Sequence, residues 1–403
     1  MTVLFLPGLW PLPLLLLFTL GWVAVAGLVI LALGLHWMFS RAPRLGPGRV
    51  TEAGTGRLTV VVPAYNESAN IGDCMAAILA SEEPGLDWQL LVVDDESTDN
   101  TLELAEAAAA DHPRVQVLSA GPRPQEEAWV GKNWACEQGW QWLCRQDREL
   151  GHSPDDDWIL FVDADVRLEP GALGAALAEA IASHSDLLSL APRLECACLA
   201  EWLVQPIVAS LLGLGFPMTQ ANDPDHPTAF AAGPFMLFRQ RSYAALGGHR
   251  SVAAEVVEDM ALARRIKGRG DRLRYLLGLD WVRLRIYRDF PSLWEGWTKN
   301  WFLGLDRDPL RTLASGAVVV LMFSLPWLLL LLGAVWPWLL APALAGIALQ
   351  WSIRRWSAVN FNVPMTYWWL AGLGGLIIGA IAPVSMLRTL TGRNWTWRGR
   401  SLA

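Results

Sequence analysis

The chain has 403 residues, 53% of them hydrophobic and 23 of them Trp, which excludes an ordinary soluble protein and calls for membrane segments around a globular part. A net charge of −7 gives no reason to expect nucleic acid as a partner. The five cysteines, at positions 74, 136, 144, 196 and 198, are odd in number and lack CxxC spacing, so they read as reduced thiols in a cytosolic domain.

No charged side chain occurs before Leu35, and the run from Leu9 to Leu35 exceeds the roughly 20 apolar residues that cross a bilayer. Ala24-Val25-Ala26 imitates a signal-peptide cleavage site. The segment before it carries no positive charge and the apolar run continues past it, so the run reads as an anchor. Arg41, Arg44 and Arg49 follow, and the positive-inside bias then places the next domain in the cytoplasm. Nearly all Asp and Glu lie between Arg57 and Arg311, enough chain for one domain of about 250 residues. The expected organisation is an anchor over 1–40, a globular domain over 41–311 and a second membrane region over 312–403.

Within the globular part strands and helices alternate. "RLTVVVPAYNES" is a β-branched run ending in a turn, "NIGDCMAAILAS" is helical, "WQLLVVDDESTDNT" is strand then loop, "LELAEAAAAD" is helical and "RVQVLSA" is a strand. "DWILFVDADV" is a further buried strand, and "EVVEDMALARRI" is a helix that carries Glu258 and Asp259 where its apolar run begins. Continuous apolar strands separated by helices predict an α/β fold with a mostly parallel sheet covered on both faces, whose ligands bind at the carboxyl ends of the strands.

Three polar clusters fall at those ends: Pro63, Tyr65, Asn66 and Glu67; Asp94 and Asp95; Asp163 and Asp165. Residues two apart at a strand end project to one side, so Asp163 and Asp165 can share a site. Two hard carboxylates suit Mg2+ or Mn2+ held together with a diphosphate. Each cluster also has a plain reading: a DxD alone is usually a solvated turn, Asp94 and Asp95 can cap the next helix, and Tyr65 and Asn66 can be turn residues. Their co-location at successive strand ends favours the functional reading. No GxGxxG follows the first strand, which argues against a dinucleotide dehydrogenase.

Phe290, Trp294, Trp297 and Trp301 recur on one face of a helix, either as an interfacial helix beneath the bilayer or as ordinary core packing, and the apolar stretch from Trp202 has the same two readings. Leu313 to Gly333, interrupted by Pro326, and Met365 to Leu387 are two more spans; Trp336 to Gln350 is a third helix or a re-entrant piece. Arginines at 354 and 355 and at 388, 393, 398 and 400 leave the topology after Leu313 open, because two or three crossings each violate the charge bias somewhere.

"VVVPAYNES", "VVDDESTDNT", "GKNWA", "FVDADV" and "VVEDMALARRI", in this order over about Leu58 to Leu305, resemble family 2 glycosyltransferases of GT-A fold. The flanking membrane segments and "FAAGPFMLFRQRSYAALGGH" are similar to the hopene-associated and carotenoid-modifying branches. The resemblance implies an inverting, metal-dependent enzyme that moves a single hexosyl unit from a nucleotide sugar, a UDP-sugar first among them, to a hydroxyl of a lipid or isoprenoid. It implies a multi-pass protein of the bacterial inner membrane or its equivalent, with a cytoplasmic catalytic domain. Pro63, Tyr65, Glu67, Asp94, Asp95, Lys132 and Asp163 would hold the donor, Asp163 and Asp165 the Mg2+ or Mn2+, Asp259 would be the base and Glu258 its neighbour in the site. Chain-elongating synthases of the family carry QxxRW after the ED pair; "WTKNW" here lacks its Gln and Arg, and "SIRRW" lies beyond the first C-terminal span. Transfer to polyprenyl phosphate, a polysaccharide synthase, an inactive membrane scaffold and a nucleotidyltransferase are the alternatives.

Overall fold

The computed structural model describes residues 12–48, 56–110, 112–124, 126–391, 396–397 and 400–401. Helix α1, Leu12–Phe39, covers the expected anchor from Leu12 onward, while residues 9–11, Arg49, Arg393 and Arg398 lie outside the described residues. Then follow β1 (Arg57–Ala64), α2 (Ile71–Leu79), β2 (Asp87–Asp94), α3 (Thr101–Ala109), β3 (Val115–Ser119), α4 (Gly131–Leu150) and β4 (Trp158–Val162). The chain continues through β5 (Val166–Leu168), α5 (Ala172–Ala182), β6 (Leu187–Ala191), β7 (Arg193–Leu194), α6 (Leu199–Gly215), α7 (Met218–Asn222), β8 (Phe235–Arg239), α8 (Gln240–Ala245), α9 (Glu258–Gly268), β9 (Leu273–Leu277) and β10 (Val282–Leu284). The C-terminal part holds α10 (Phe290–Gly304), α11 (Pro309–Val319), α12 (Leu325–Leu332), α13 (Leu340–Phe361) and α14 (Ala371–Leu390). Two compact units emerge: one gathers most of α1 with α6 and α10 to α14, the other holds the strands β1 to β10 and the helices between them other than α6.

In the second unit a seven-stranded sheet has the order β3-β2-β1-β4-β8-β6-β9. Its β1 runs parallel to both β2 and β4, and β8 alone runs antiparallel to its neighbours β4 and β6. The uninterrupted apolar strands follow from burial on both faces. Val60 and Val62 enter a core with Ile71, Met75, Leu173 and Leu177, whereas Val61 enters the opposite core with Ala135, Leu143 and Leu262. Strand order reverses between β1 and β4, so the crevice beyond their carboxyl ends is where such a sheet binds ligands.

The sequence reads "DWILFVDADV" as one strand, but β4 stops at Val162 and Asp163 to Asp165 turn the chain into β5, which joins a separate sheet with β10 and β7. Val162 pairs with Phe235, so the next partner in the antiparallel register is Pro234, which has no N–H to continue the ladder. Helix α9 ends near Lys267, whose Nζ lies 2.6 to 3.3 Å from the carbonyls of Gln220, Ala221, Asp223, His226 and Thr228. One ammonium thereby holds the whole 220–228 loop.

In the other unit three helical segments, Leu12–Phe39, Pro309–Leu332 and Trp368–Leu390, are long and apolar enough to cross a membrane. The interruption read at Pro326 is a π-helical turn over Val320–Ser324. Pro326 has no N–H for the Met322 carbonyl. The Gln350 side chain donates to that oxygen at 2.8 Å and to the Phe323 carbonyl at 3.1 Å, while its own oxygen accepts from Trp327 Nε1 at 2.8 Å. Trp336 to Gln350 opens with a 3-10 turn and enters α13, which continues to Phe361. Asp289 and Ser292 form a capping box at the start of α10. The Trp stripe of α10 is divided: Phe290 is exposed, whereas Trp301 is buried with its indole N–H 3.1 Å from Ser315 Oγ. Trp297 donates to Gln205 of α6 at 2.9 Å.

Candidate functional site

The sheet brings the three clusters to one edge. Pro63 itself is a buried strand residue paired with Val93, and the chain leaves β1 only at Tyr65 and Asn66. Asn66 has φ 51°, a left-handed conformation that Asn tolerates, and its side-chain oxygen accepts the Thr98 N–H at 2.8 Å. Glu67 is buried, accepts from Asn70 Nδ2 at 2.7 Å and receives the Asn70 and Ile71 amides on its carbonyl, so it fixes the entry to α2. Its own amide donates to Thr101 Oγ1 at 2.7 Å, which ties the loop after β1 to the loop after β2.

Asp94 closes β2, and both it and Asp95 are almost fully buried. Asp94 Oδ2 accepts the Ser97 N–H at 3.0 Å, while its Oδ1 is buried with no hydrogen-bond partner among the described residues. An orphaned carboxylate oxygen is costly unless a donor meets it. Asp95 forms an ion pair of 2.8 Å with Arg123 Nη2. Gly131, the first residue of α4, abuts this pair: a Cβ there would come within 2.5 Å of Asp95 Oδ2 and 2.6 Å of Arg123 Nη2. Gly131→Ala is therefore expected to displace both and raise the donor KM by about tenfold or more with a smaller change in kcat, measured by steady-state kinetics. A kcat loss at unchanged KM would place the pair outside the donor site.

Lys132 joins the remaining clusters. Its Nζ lies 2.7 Å from Asp163 Oδ1 and 2.6 Å from Glu258 Oε1, so the turn after β4 and the start of α9 share one ammonium. Burial pushes the Lys132 amine down, but Asp163 and Glu258 outweigh it and hold it well above its ordinary value. The neighbouring Asn133 is buried and its Nδ2 donates to the carbonyls of Val252, Ala253 and Glu255 at 2.8, 3.1 and 2.9 Å, which clamps the loop leading to Glu258.

Glu258 and Asp259 occupy the first turn of α9 and behave differently. Burial pushes Glu258 up, yet the Lys132 charge and hydrogen bond bring it below its ordinary value. Asp259 has no cation within ion-pair distance among the described residues, and burial together with the adjacent Glu258 charge pushes it up to about 7. Its Oδ2 accepts the Gly233 N–H at 3.0 Å and its Oδ1 the Met260 N–H at 2.7 Å. Gly233 reaches this point because β8 is antiparallel and begins where β4 ends. A Cβ on it would stand 3.1 Å from Asp259 Oδ2 and 3.3 Å from Lys132 Nζ. A carboxylate whose pKa is raised to about 7 and that has no ion-pair partner of its own among the described residues is equipped to take a proton near neutral pH. His249 is no competitor: burial holds its imidazole at about 3, and it is locked to the Tyr243 hydroxyl at 2.6 Å.

Asp163 and Asp165 stand half-buried in the turn between β4 and β5. Among the described residues no group of three or more His, Cys, Asp or Glu is arranged to hold a metal. Two oxygen ligands fit a hard divalent cation that takes the rest of its shell from water and a substrate diphosphate, as Mg2+ commonly does. Asn133, Arg123, Gly131 and Gly233 complete the constellation; the sequence reading assigned them no role.

A sheet that reverses order between β1 and β4, one antiparallel strand and acidic turns at the strand ends together make a GT-A type fold. Residues 59–247 match the family model described as "Glycosyl transferase family 2". The chain is 28% identical over 270 residues to a 4,4'-diaponeurosporenoate glycosyltransferase of Staphylococcus aureus strain MRSA252, covering 66% of this chain and 66% of that protein. For the protein of the same name from strain USA300 it is 28% identical over 246 residues, covering 60% of each. The chain thus spans just under two thirds of these relatives' length. Among solved structures it is similar to the mannosyltransferase PcManGT from Pyrobaculum calidifontis, in complex with GDP-Man and Mn2+, at 15% identity and a TM-score of 0.53, covering 94% of this chain and 99% of that one. That likeness concerns the fold.

Proposed function

We propose that the chain is a membrane-anchored, inverting enzyme that moves one sugar from a nucleoside-diphosphate sugar to a hydroxyl of a lipid or isoprenoid. The observation that carries this reading is Asp259, a carboxylate tuned to about 7 beside a lysine that bridges to the acidic turn after β4. In this reading Asp94 and Asp95 hold the nucleoside, the orphaned Asp94 oxygen meeting a donor N–H or O–H of the base or ribose. Lys132 faces the diphosphate, and Tyr65 and Glu67 shape the wall on the β1 side. Asp259 Oδ2 or Oδ1 accepts the hydroxyl proton as the acceptor oxygen attacks the anomeric carbon, and the nucleoside diphosphate leaves with the bonding electrons. Asp163 and Asp165 would hold Mg2+ or Mn2+, which when bound neutralises charge developing on the leaving diphosphate. The GDP-Man and Mn2+ in the description of PcManGT support a metal and a nucleotide sugar.

The organisation that goes with this is an anchor over 1–40, a cytoplasmic catalytic domain over 41–311 and a membrane region over 312–403, supported by Arg41 and Arg44 after α1 and the three apolar segments. The absence of QxxRW in "WTKNW" supports single transfer over chain growth. A second reading has an acidic acceptor, already ionised and needing no base; the relatives' name, which denotes a carboxylate, favours it. The test is a screen of UDP- and GDP-sugars for turnover by the purified protein with neutral and acidic lipid acceptors, followed by mass spectrometry. Release of a nucleoside diphosphate with a glycosylated neutral lipid is the expected result. Pyrophosphate release from a nucleoside triphosphate, or no turnover of any nucleotide sugar, overturns it.

A further inference from the structure

Arg354 is a charged residue in the wrong surroundings. It sits in α13 with only 8% of its surface exposed, in the unit built from apolar helices. Its Nε donates to the Pro364 carbonyl at 3.0 Å and its Nη2 to the Thr366 carbonyl at 3.2 Å, and its Cζ lies 5.4 Å from the Trp202 ring of α6. No carboxylate pairs with it among the described residues, and Nη1 has no acceptor there yet is not sealed from the surface. A guanidinium stays ionised, so burying it without an anion is unfavourable, and two carbonyls with one indole face compensate it only in part. Half-buried Arg123, by contrast, has Asp95 opposite it.

Next to this residue, α13 exposes Trp351, Arg355 and Val359, spaced four apart and therefore on one face. A basic group between two apolar ones, beside a buried guanidinium with an open donor, matches a ligand with an acidic head and a long apolar tail. We propose that Arg354, stacked on Trp202 and flanked by Arg355, is an oxyanion site for the carboxylate or phosphate of a lipid with a long apolar tail, for which farnesyl compounds serve as probes. An Arg fork suits either oxyanion, each offering two oxygens in one plane.

The proposal concerns binding alone, so it is tested without a sugar donor and stands apart from the transfer reaction. Purified full-length protein in neutral detergent is titrated with farnesyl phosphate, farnesoic acid, farnesol and inorganic phosphate, with native mass spectrometry and calorimetry as readouts. At least one acidic farnesyl compound should bind about tenfold or more tightly than farnesol, and whichever does so identifies the head group as phosphate or carboxylate. Arg354→Gln should abolish that preference and Arg354→Lys should keep part of it. Since Arg354→Gln also loses two carbonyl contacts, the exposed Arg355→Gln serves as a second variant and should weaken the preference by a few-fold. Equal binding of acids and alcohol by the wild type overturns the site. So does a preference unchanged in both Gln variants, or competition by inorganic phosphate as strong as that of farnesyl phosphate.

Discussion

Asp259→Asn is expected to slow sugar transfer by roughly 10²–10⁴, the usual contribution of a general base, with kcat and kcat/KM falling together. Asn preserves the shape of the side chain and an oxygen for the Gly233 or Met260 amide, so donor binding should hardly change. Glu258→Gln should cost less in kcat but loosen Lys132, because it removes one of the two carboxylates on that ammonium. The wild type should also show a pH signature. Asp259 works as a base only when ionised, so activity should fall as pH drops through about 7, and Asp259→Asn should lose that limb. Stopped turnover assays across pH 5 to 9 read both effects. A near-full rate in Asp259→Asn would transfer the assignment to an ionised acceptor, while weakened donor binding at unchanged kcat would make Asp259 a donor-site residue.

The second large effect concerns Asp165. Asp165→Ala, and equally the wild type in excess EDTA, should lose on the order of 10² or more in kcat/KM, the several kcal/mol that a cation supplies to a charge growing on a diphosphate. Mn2+ or Mg2+ should restore the EDTA-treated wild type and leave Asp165→Ala slow. The turn that carries Asp165 lies outside the sheet's ladder, so the variant's thermal midpoint should stay close to the wild type's. Full activity with EDTA would remove the metal from the reaction.

Much of the candidate site could be read along the chain because its parts sit where a strand ends or a helix begins. Asp94, the Asp163–Asp165 turn and Glu258-Asp259 each close or open an apolar run, and burial on both faces makes those runs visible as unbroken hydrophobic stretches. What escaped notice works through non-local pairing. Gly233 matters only because β8 runs against β4 and delivers a backbone N–H to Asp259, and strand direction leaves no local mark in the residues. Asn133 acts on three carbonyls far along the chain, and Arg123 pairs with Asp95 from a loop without periodicity. The stop of β4 at Val162 was likewise set by Pro234, just before β8.

Lys132 gives the site a sense of sequence in time. One ammonium answers to two carboxylates, so when the diphosphate of an incoming donor draws Nζ toward itself, Glu258 is left with less compensation. The uncovered charge lies beside Asp259 and raises its affinity for a proton, so in the proposed reaction Asp259 would be a stronger base with the donor bound than without it. The apparent pKa of the acidic limb should then lie higher in kcat, read with the donor bound, than in kcat/KM for the donor, read on the free enzyme.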